Sequence, residues 1–131
     1  MSYIFDSSTI FKAIKENKVE VLANNSTLDL TRYELGNILW KEHTLHKRIS
    51  REELEKLVKL VNNVLNLMET LTINCHEQET LNIADDLKIT FYDASYIYHA
   101  KNNKTPLITE DNELTEKAKP HIKTLKLHNL T

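Results

Sequence analysis

The sequence predicts an α/β protein whose parallel sheet of four to five strands is covered by helices on both faces. Two observations carry that expectation. Short apolar runs alternate with helix-periodic stretches along the chain, the pattern of successive βα units. Acidic residues also recur beside the apolar runs: Asp6 after Tyr3-Ile4-Phe5, Glu34 in Thr31-Arg32-Tyr33-Glu34, Asp93 in Phe91-Tyr92-Asp93-Ala94, and Asp111 after Leu107-Ile108-Thr109-Glu110. Each is read as marking a strand-to-helix junction. In an open parallel sheet those junctions share one edge, at the carboxyl ends of the strands, where ligands bind. The four acids are therefore expected to meet in one cleft.

Taken in order, Tyr3–Phe5 is a short buried strand and Thr9–Lys15 a short helix. Ser26–Leu30 is a weaker strand, followed by helix Arg32–Lys41 with Leu35, Ile38 and Leu39 at helical spacing. Ser50 with Glu53 three residues later forms a capping box. It opens the longest helix, where Leu54, Leu57, Val58, Val61, Val64, Leu65 and Met68 recur with helical period. Thr70–Cys75 alternates weakly and is a third strand, which buries Cys75. Glu77–Leu87 is helical, Ile89-Thr90 a brief extended connection, and Tyr92–Lys101 a further helix. Strand Pro106–Thr109, helix Asn112–Lys119 and strand Lys123–Leu127 complete the chain.

A chain of 131 residues is expected to be a single domain spanning 1–131. Its 40% hydrophobic and 27% charged content suits a soluble globular protein. A net charge of −2 carries no overall basic signature for nucleic acid. One cysteine cannot form an intrachain disulfide, no export signal precedes Asp6, and no apolar run approaches a membrane span, so a cytoplasmic location is expected.

Each acid alone reads equally well as a helix cap. Their joint recurrence does not, and carboxylates that converge with no Lys or Arg among them need a cation. Oxygen-only donors suit Mg²⁺ or Mn²⁺; the sequence leaves one ion or two open. Rival chemistries fit less well. The single glycine, Gly36, lies inside a helix, so there is no phosphate loop. His76-Glu77-Gln78-Glu79-Thr80 lacks the second histidine of a zinc-protease motif, and His43 with His46 is too small a ligand set. A receiver-type phosphoaspartate site would want a lysine where Glu110-Asp111 stands.

The motifs resemble those of the PIN domain, most closely its compact VapC-type toxin members. The resemblance covers essentially the whole chain. It rests on Asp6-Ser7-Ser8, Tyr33-Glu34-Leu35-Gly36-Asn37, Tyr92-Asp93-Ala94-Ser95-Tyr96 and Leu107-Ile108-Thr109-Glu110-Asp111. It implies a three-layer α/β/α fold, catalytic and metal-holding roles for Asp6, Glu34, Asp93 and Asp111, and a supporting hydroxyl at Thr109. It also implies Mg²⁺- or Mn²⁺-dependent endoribonuclease activity and inhibition by a VapB-type antitoxin. The departures are a glycine-poor chain and the extra acid Glu110 beside Asp111.

An acidic pocket repels RNA unless cations rim it. Lys12, Lys15, Lys18, Lys41, His43, His46, Lys47, Arg48, Lys101 and Lys104 are the candidates, with Lys12, Lys15, Lys41, Arg48 and Lys104 singled out. Leu60 and Leu67, off the main apolar stripe of the long helix, suggest a homodimer and an antitoxin-binding groove; the alternative is that helix Arg32–Lys41 with Trp40 covers them. A housekeeping RNA-processing nuclease and a non-catalytic interaction module remain the competing functional classes.

Overall fold

The computed structural model describes residues 2–130. Five parallel strands, β1 (Ile4–Phe5), β2 (Ser26–Leu28), β3 (Glu69–Leu71), β4 (Leu107–Ile108) and β5 (Thr124–Leu125), lie in the order β3-β2-β1-β4-β5. Six α-helices accompany them: α1 (Ser7–Lys15), α2 (Leu30–Trp40), α3 (Arg51–Asn66), α4 (Glu77–Leu87), α5 (Phe91–Asn103) and α6 (Asn112–Ala118). The sheet starts in the middle and grows outward both ways, so the crevice at the strand ends opens beside β1, where Asp6 stands.

Neighbouring strand residues face opposite layers, as the pleat requires. Phe5 and Ile108 enter a core with Ile10, Leu35, Val64 and Leu65 from α1, α2 and α3. Ile4 and Leu107 enter a second core with Tyr96, Ile97 and Ala100 of α5 and Leu114 and Ala118 of α6. This is the expected three-layer α/β/α arrangement. Helix α5 is buried continuously from Ala94 to Ala100, which explains its lack of polar periodicity.

The Ser50–Glu53 capping box forms in both directions and opens α3. Helix α2 runs on through a wider π turn, Lys41–Leu45. On α3, Leu60 is partly buried against the first core, not free, because α2 packs alongside. Leu67 remains 63% exposed and Trp40 50%.

The third strand is shorter than the alternation suggested. Its only partner, β2, ends at Leu28, and the chain turns into α2 at Asp29, so the ladder stops at Leu71. Cys75 consequently lies in an exposed turn with φ of 71°, not in a buried strand. Its thiol should react with an aromatic disulfide reagent in the native protein about as fast as after denaturation; strong native protection would contradict this placement.

Candidate metal centre

Asp6 and Asp111 sit at true strand-to-helix junctions, ending β1 and β4. Each caps the helix that follows: Asp6 Oδ1 accepts from the Thr9 amide at 3.0 Å, and Asp111 Oδ1 from the Leu114 amide at 3.0 Å. The other two acids reach the same edge differently. Helix α2 is capped by Asp29, and Glu34 lies one turn inside it. The Thr31 hydroxyl is held by Thr27 and Tyr96. Asp93 occupies the first turn of α5, which follows α4 and not a strand; Thr90 is the cap, accepting from the Asp93 amide at 3.1 Å. Both helices begin at the carboxyl edge of the sheet, so all four acids share that edge.

Their charges are felt in common. Burial pushes the Asp6 carboxyl above its ordinary value, against hydrogen bonds from Thr109, Thr9 and Ser8. Glu34 is raised by burial and then by Asp6 and Asp93, with Tyr96 and Ser7 opposing. Asp93 is raised by burial and then by Asp111 and Asp6. Among the described residues, none of the four acids forms an ion pair. Among the described residues, no three acidic, His or Cys side chains are close enough to form a ready-made cage. The donor set is nonetheless all carboxylate, with Glu34 and Asp93 raised first by burial and then by neighbouring site acids, which fits a hard divalent cation better than any other ligand.

A buried relay fixes one of them. Thr27 Oγ1 donates to the Phe5 carbonyl at 2.8 Å and shares its proton with Thr31 at 2.7 Å. Thr31 meets Tyr96 Oη at 2.6 Å, and Tyr96 donates to Glu34 Oε1 at 2.6 Å. Burial and the Glu34 charge drive the Tyr96 pKa far upward, so the phenol stays a donor. Thr109, fully buried, accepts from the Asp111 amide at 3.1 Å while serving Asp6, and so couples two of the acids.

Glu110 turns away from the cluster. It accepts from Lys12 at 2.9 Å and from the Leu127 amide at 2.8 Å. Burial alone would raise its pKa, but that amide, Lys12 and Lys126 outweigh burial and lower it. Of the basic residues singled out, Lys12 is held by Glu110, the residue before Asp111. Lys15 lies in the last turn of α1 over Phe11, and Lys41 is two turns beyond Glu34, about 10 Å along the helix axis. Arg48 is paired with Glu42 at 3.5 Å. Lys104 ends α5 just before β4, on the opposite edge of the sheet. The structure does not bring these four to the acids.

Sequence reasoning missed Ser7, Thr31 and Tyr96 as supports of the acids, although Ser7 and Tyr96 lie within the quoted motifs. It also missed Lys126. Placed just after β5, Lys126 bonds Asn112 Oδ1 at 2.7 Å beside Asp111. Its position after the last strand was the available signal.

The PIN domain family matches residues 1–120. The chain belongs to the PIN-domain family. It is 32% identical over 121 residues to Exonuclease VapC9 of Pyrobaculum aerophilum, covering 91% of this chain and 87% of that protein. It is also similar to the crystal structure of PAE2754 from Pyrobaculum aerophilum, with a TM-score of 0.80 and 27% identity, covering 99% of this chain and 92% of that one.

Two outcomes follow from these contacts. A carboxyl whose folded pKa is raised binds its proton more readily folded than unfolded, so ionisation of Asp6, Glu34 and Asp93 destabilises the metal-free fold. That cost is fully present above the folded values and is relieved as pH falls through them toward the ordinary 3.8 for Asp and 4.5 for Glu. In chelator, Asp6→Asn should therefore melt a few degrees higher than wild type at neutral pH, with the gap closing as pH falls through that window; a lower melting point would contradict the account. Tyr96→Phe should keep the fold but weaken Mn²⁺ binding by calorimetry by ~10-fold, as loss of a ligand's supporting hydrogen bond does.

Proposed function

We propose that this protein is an endoribonuclease that depends on Mg²⁺ or Mn²⁺ and acts as the toxin of a VapBC-type pair. The observation that carries this reading is the convergence of Asp6, Glu34, Asp93 and Asp111 at one sheet edge, where burial raises the carboxyls of Asp6, Glu34 and Asp93 and neighbouring acids raise the last two further. Membership of the PIN-domain family and the similarity to a protein named as a VapC exonuclease support it.

Asp6 and Asp93, each coupled to further site acids, would be the central holders of the ion, with Glu34 and Asp111 completing the set. When bound, the ion supplies a water of lowered pKa and neutralises charge that builds on the phosphate. The chain's own part is to hold the donors. Helix N-termini at Asp6 and Asp111 favour their negative charge, Tyr96 holds one Glu34 oxygen, and Thr109 joins Asp6 to the Asp111 backbone. Lys12 and Lys126, held at Glu110 and Asn112 on either side of Asp111, would supply the counter-charge that an RNA phosphate needs. A VapB-type antitoxin and a second copy of the chain are the proposed partners, the exposed Leu67 and Trp40 being apolar surface available to them. The cytoplasm is the proposed location, and residues 1–131 act as one domain.

The name of the VapC9 relative favours a second reading, stepwise removal of nucleotides from an RNA end. A circular single-stranded RNA separates the two: the endoribonuclease linearises it in Mn²⁺, whereas an exonuclease leaves it intact and shortens only linear RNA. In either case Asp93→Asn should lower cleavage by ~10²–10³-fold or more, the rate equivalent of a few kcal/mol, with its circular dichroism unchanged because Asn is nearly isosteric. Full cleavage by the pure variant would move the chemistry elsewhere.

A further inference from the structure

Two tyrosines stand in solvent next to the site acids. Tyr33 precedes Glu34 on α2 and is 81% exposed; Tyr92 precedes Asp93 on α5 and is 60% exposed. Together with Leu30 they separate two adjoining clefts. One, of about 400 Å³, is lined by Leu30, Tyr33, Glu34, Asn37 and Tyr92. The other, of about 260 Å³, shares Leu30, Tyr33 and Tyr92 and is floored by Leu28, Ile73 and Phe91.

Neither ring helps to build the cores, and among the described residues neither hydroxyl has a hydrogen-bond partner. The first cleft includes Glu34, so it is continuous with the proposed metal centre. No Lys or Arg lines either cleft, while Glu34 and Asp29 do. A phosphate is therefore disfavoured there. The part of an RNA strand that is flat, uncharged and polarisable is its base, and unpaired bases bind proteins by stacking on aromatic faces with their edges met by polar side chains. Asn37, one turn after Tyr33, offers both amide donors and a carbonyl acceptor at the cleft wall.

We infer that the Tyr33–Tyr92 cleft holds an unstacked base of the nucleotide flanking the scissile phosphate, with Asn37 facing its edge. The inference rests on the RNA-cleaving reading above and requires the RNA to be unpaired at this nucleotide, since a base in a duplex is not free to enter. A paired strand keeps its bases stacked on one another, so duplex RNA gains nothing from these rings.

The test has two arms. In the first, the Asp93→Asn protein is titrated with a single-stranded RNA carrying 2-aminopurine, whose fluorescence falls when it stacks. The expected result is quenching that is lost in Asp93→Asn combined with Tyr33→Ala or Tyr92→Ala, with affinity reduced ~5- to 100-fold, and restored by the corresponding Tyr→Phe. A duplex of the same sequence should bind no tighter to the tyrosine-containing protein than to the alanine variants. In the second arm, cleavage of the same single strand in Mn²⁺ is measured for wild type and the four single tyrosine variants. The alanine variants should raise KM and the phenylalanine variants should not.

Equal binding, quenching and cleavage by the alanine variants overturns the inference while leaving the nuclease intact. So does alanine variants that handle RNA normally but no longer bind an inhibitory protein, which would make the cleft a protein-docking surface. Quenching that depends on the tyrosines, with no cleavage by wild type, upholds base binding and removes the nuclease reading instead.

Discussion

The structure depends on holding negative charges together at one edge of a sheet. Carboxylates brought out of water beside one another oppose their own ionisation, and here burial is the first cause of the raised pKa of Asp6, Glu34 and Asp93. The fold bears that strain with backbone and hydroxyl donors. Asp6 takes the amide of Thr9 and the hydroxyls around it, Asp111 takes the amide of Leu114, and Glu34 is gripped by a phenol whose own position is set by two buried threonines. None of these donors carries a charge that would remove the need for a cation.

This choice explains why capping and chemistry coincide. A capping carboxylate is fixed by its helix and retains a second oxygen, so the same residue can stabilise a helix start and face the cleft. The arrangement also shows how the extra acid is kept out. Glu110 is neutralised by Lys12 and by the Leu127 amide, which ties α1 to the chain after β5 and leaves Asp111 alone beside the cleft. Lys12 and Lys126 are held by Glu110 and Asn112, the residues on either side of Asp111, while exposed tyrosines precede Glu34 and Asp93. That pairing of basic and aromatic groups suits a strand whose phosphates and bases must be handled separately.

Much of this was legible in the sequence, for identifiable reasons. The alternation of apolar runs and helical periods foretold the parallel sheet, and Ser50-x-x-Glu53 foretold the start of α3, because both are local rules that tertiary packing reinforced here. The strand containing Cys75 was overextended because strand length depends on the partner, and β2 is only three residues long. The four acids do share one sheet edge, but the route was wrong for two of them. Glu34 lies within its helix and Asp93 follows a helix, so their convergence comes from the direction of α2 and α5 and not from strand ends. The basic rim was the least legible. Charge on a helix surface says nothing about which end of the sheet it reaches, which is how Lys104 was placed with acids that lie on the opposite edge. The Thr27–Thr31–Tyr96–Glu34 relay links residues up to 65 positions apart and leaves no local pattern to read.

The most direct measurement is a calorimetric titration of Mn²⁺ into the metal-stripped protein, repeated in buffers of different ionisation enthalpy at mildly acidic pH. Raised carboxyl pKa values require that the ion displace protons, so the account predicts binding accompanied by net proton release, and loss of both in Asp93→Asn. Failure to bind Mn²⁺, or binding that survives unchanged when Asp93 loses its charge, would contradict it.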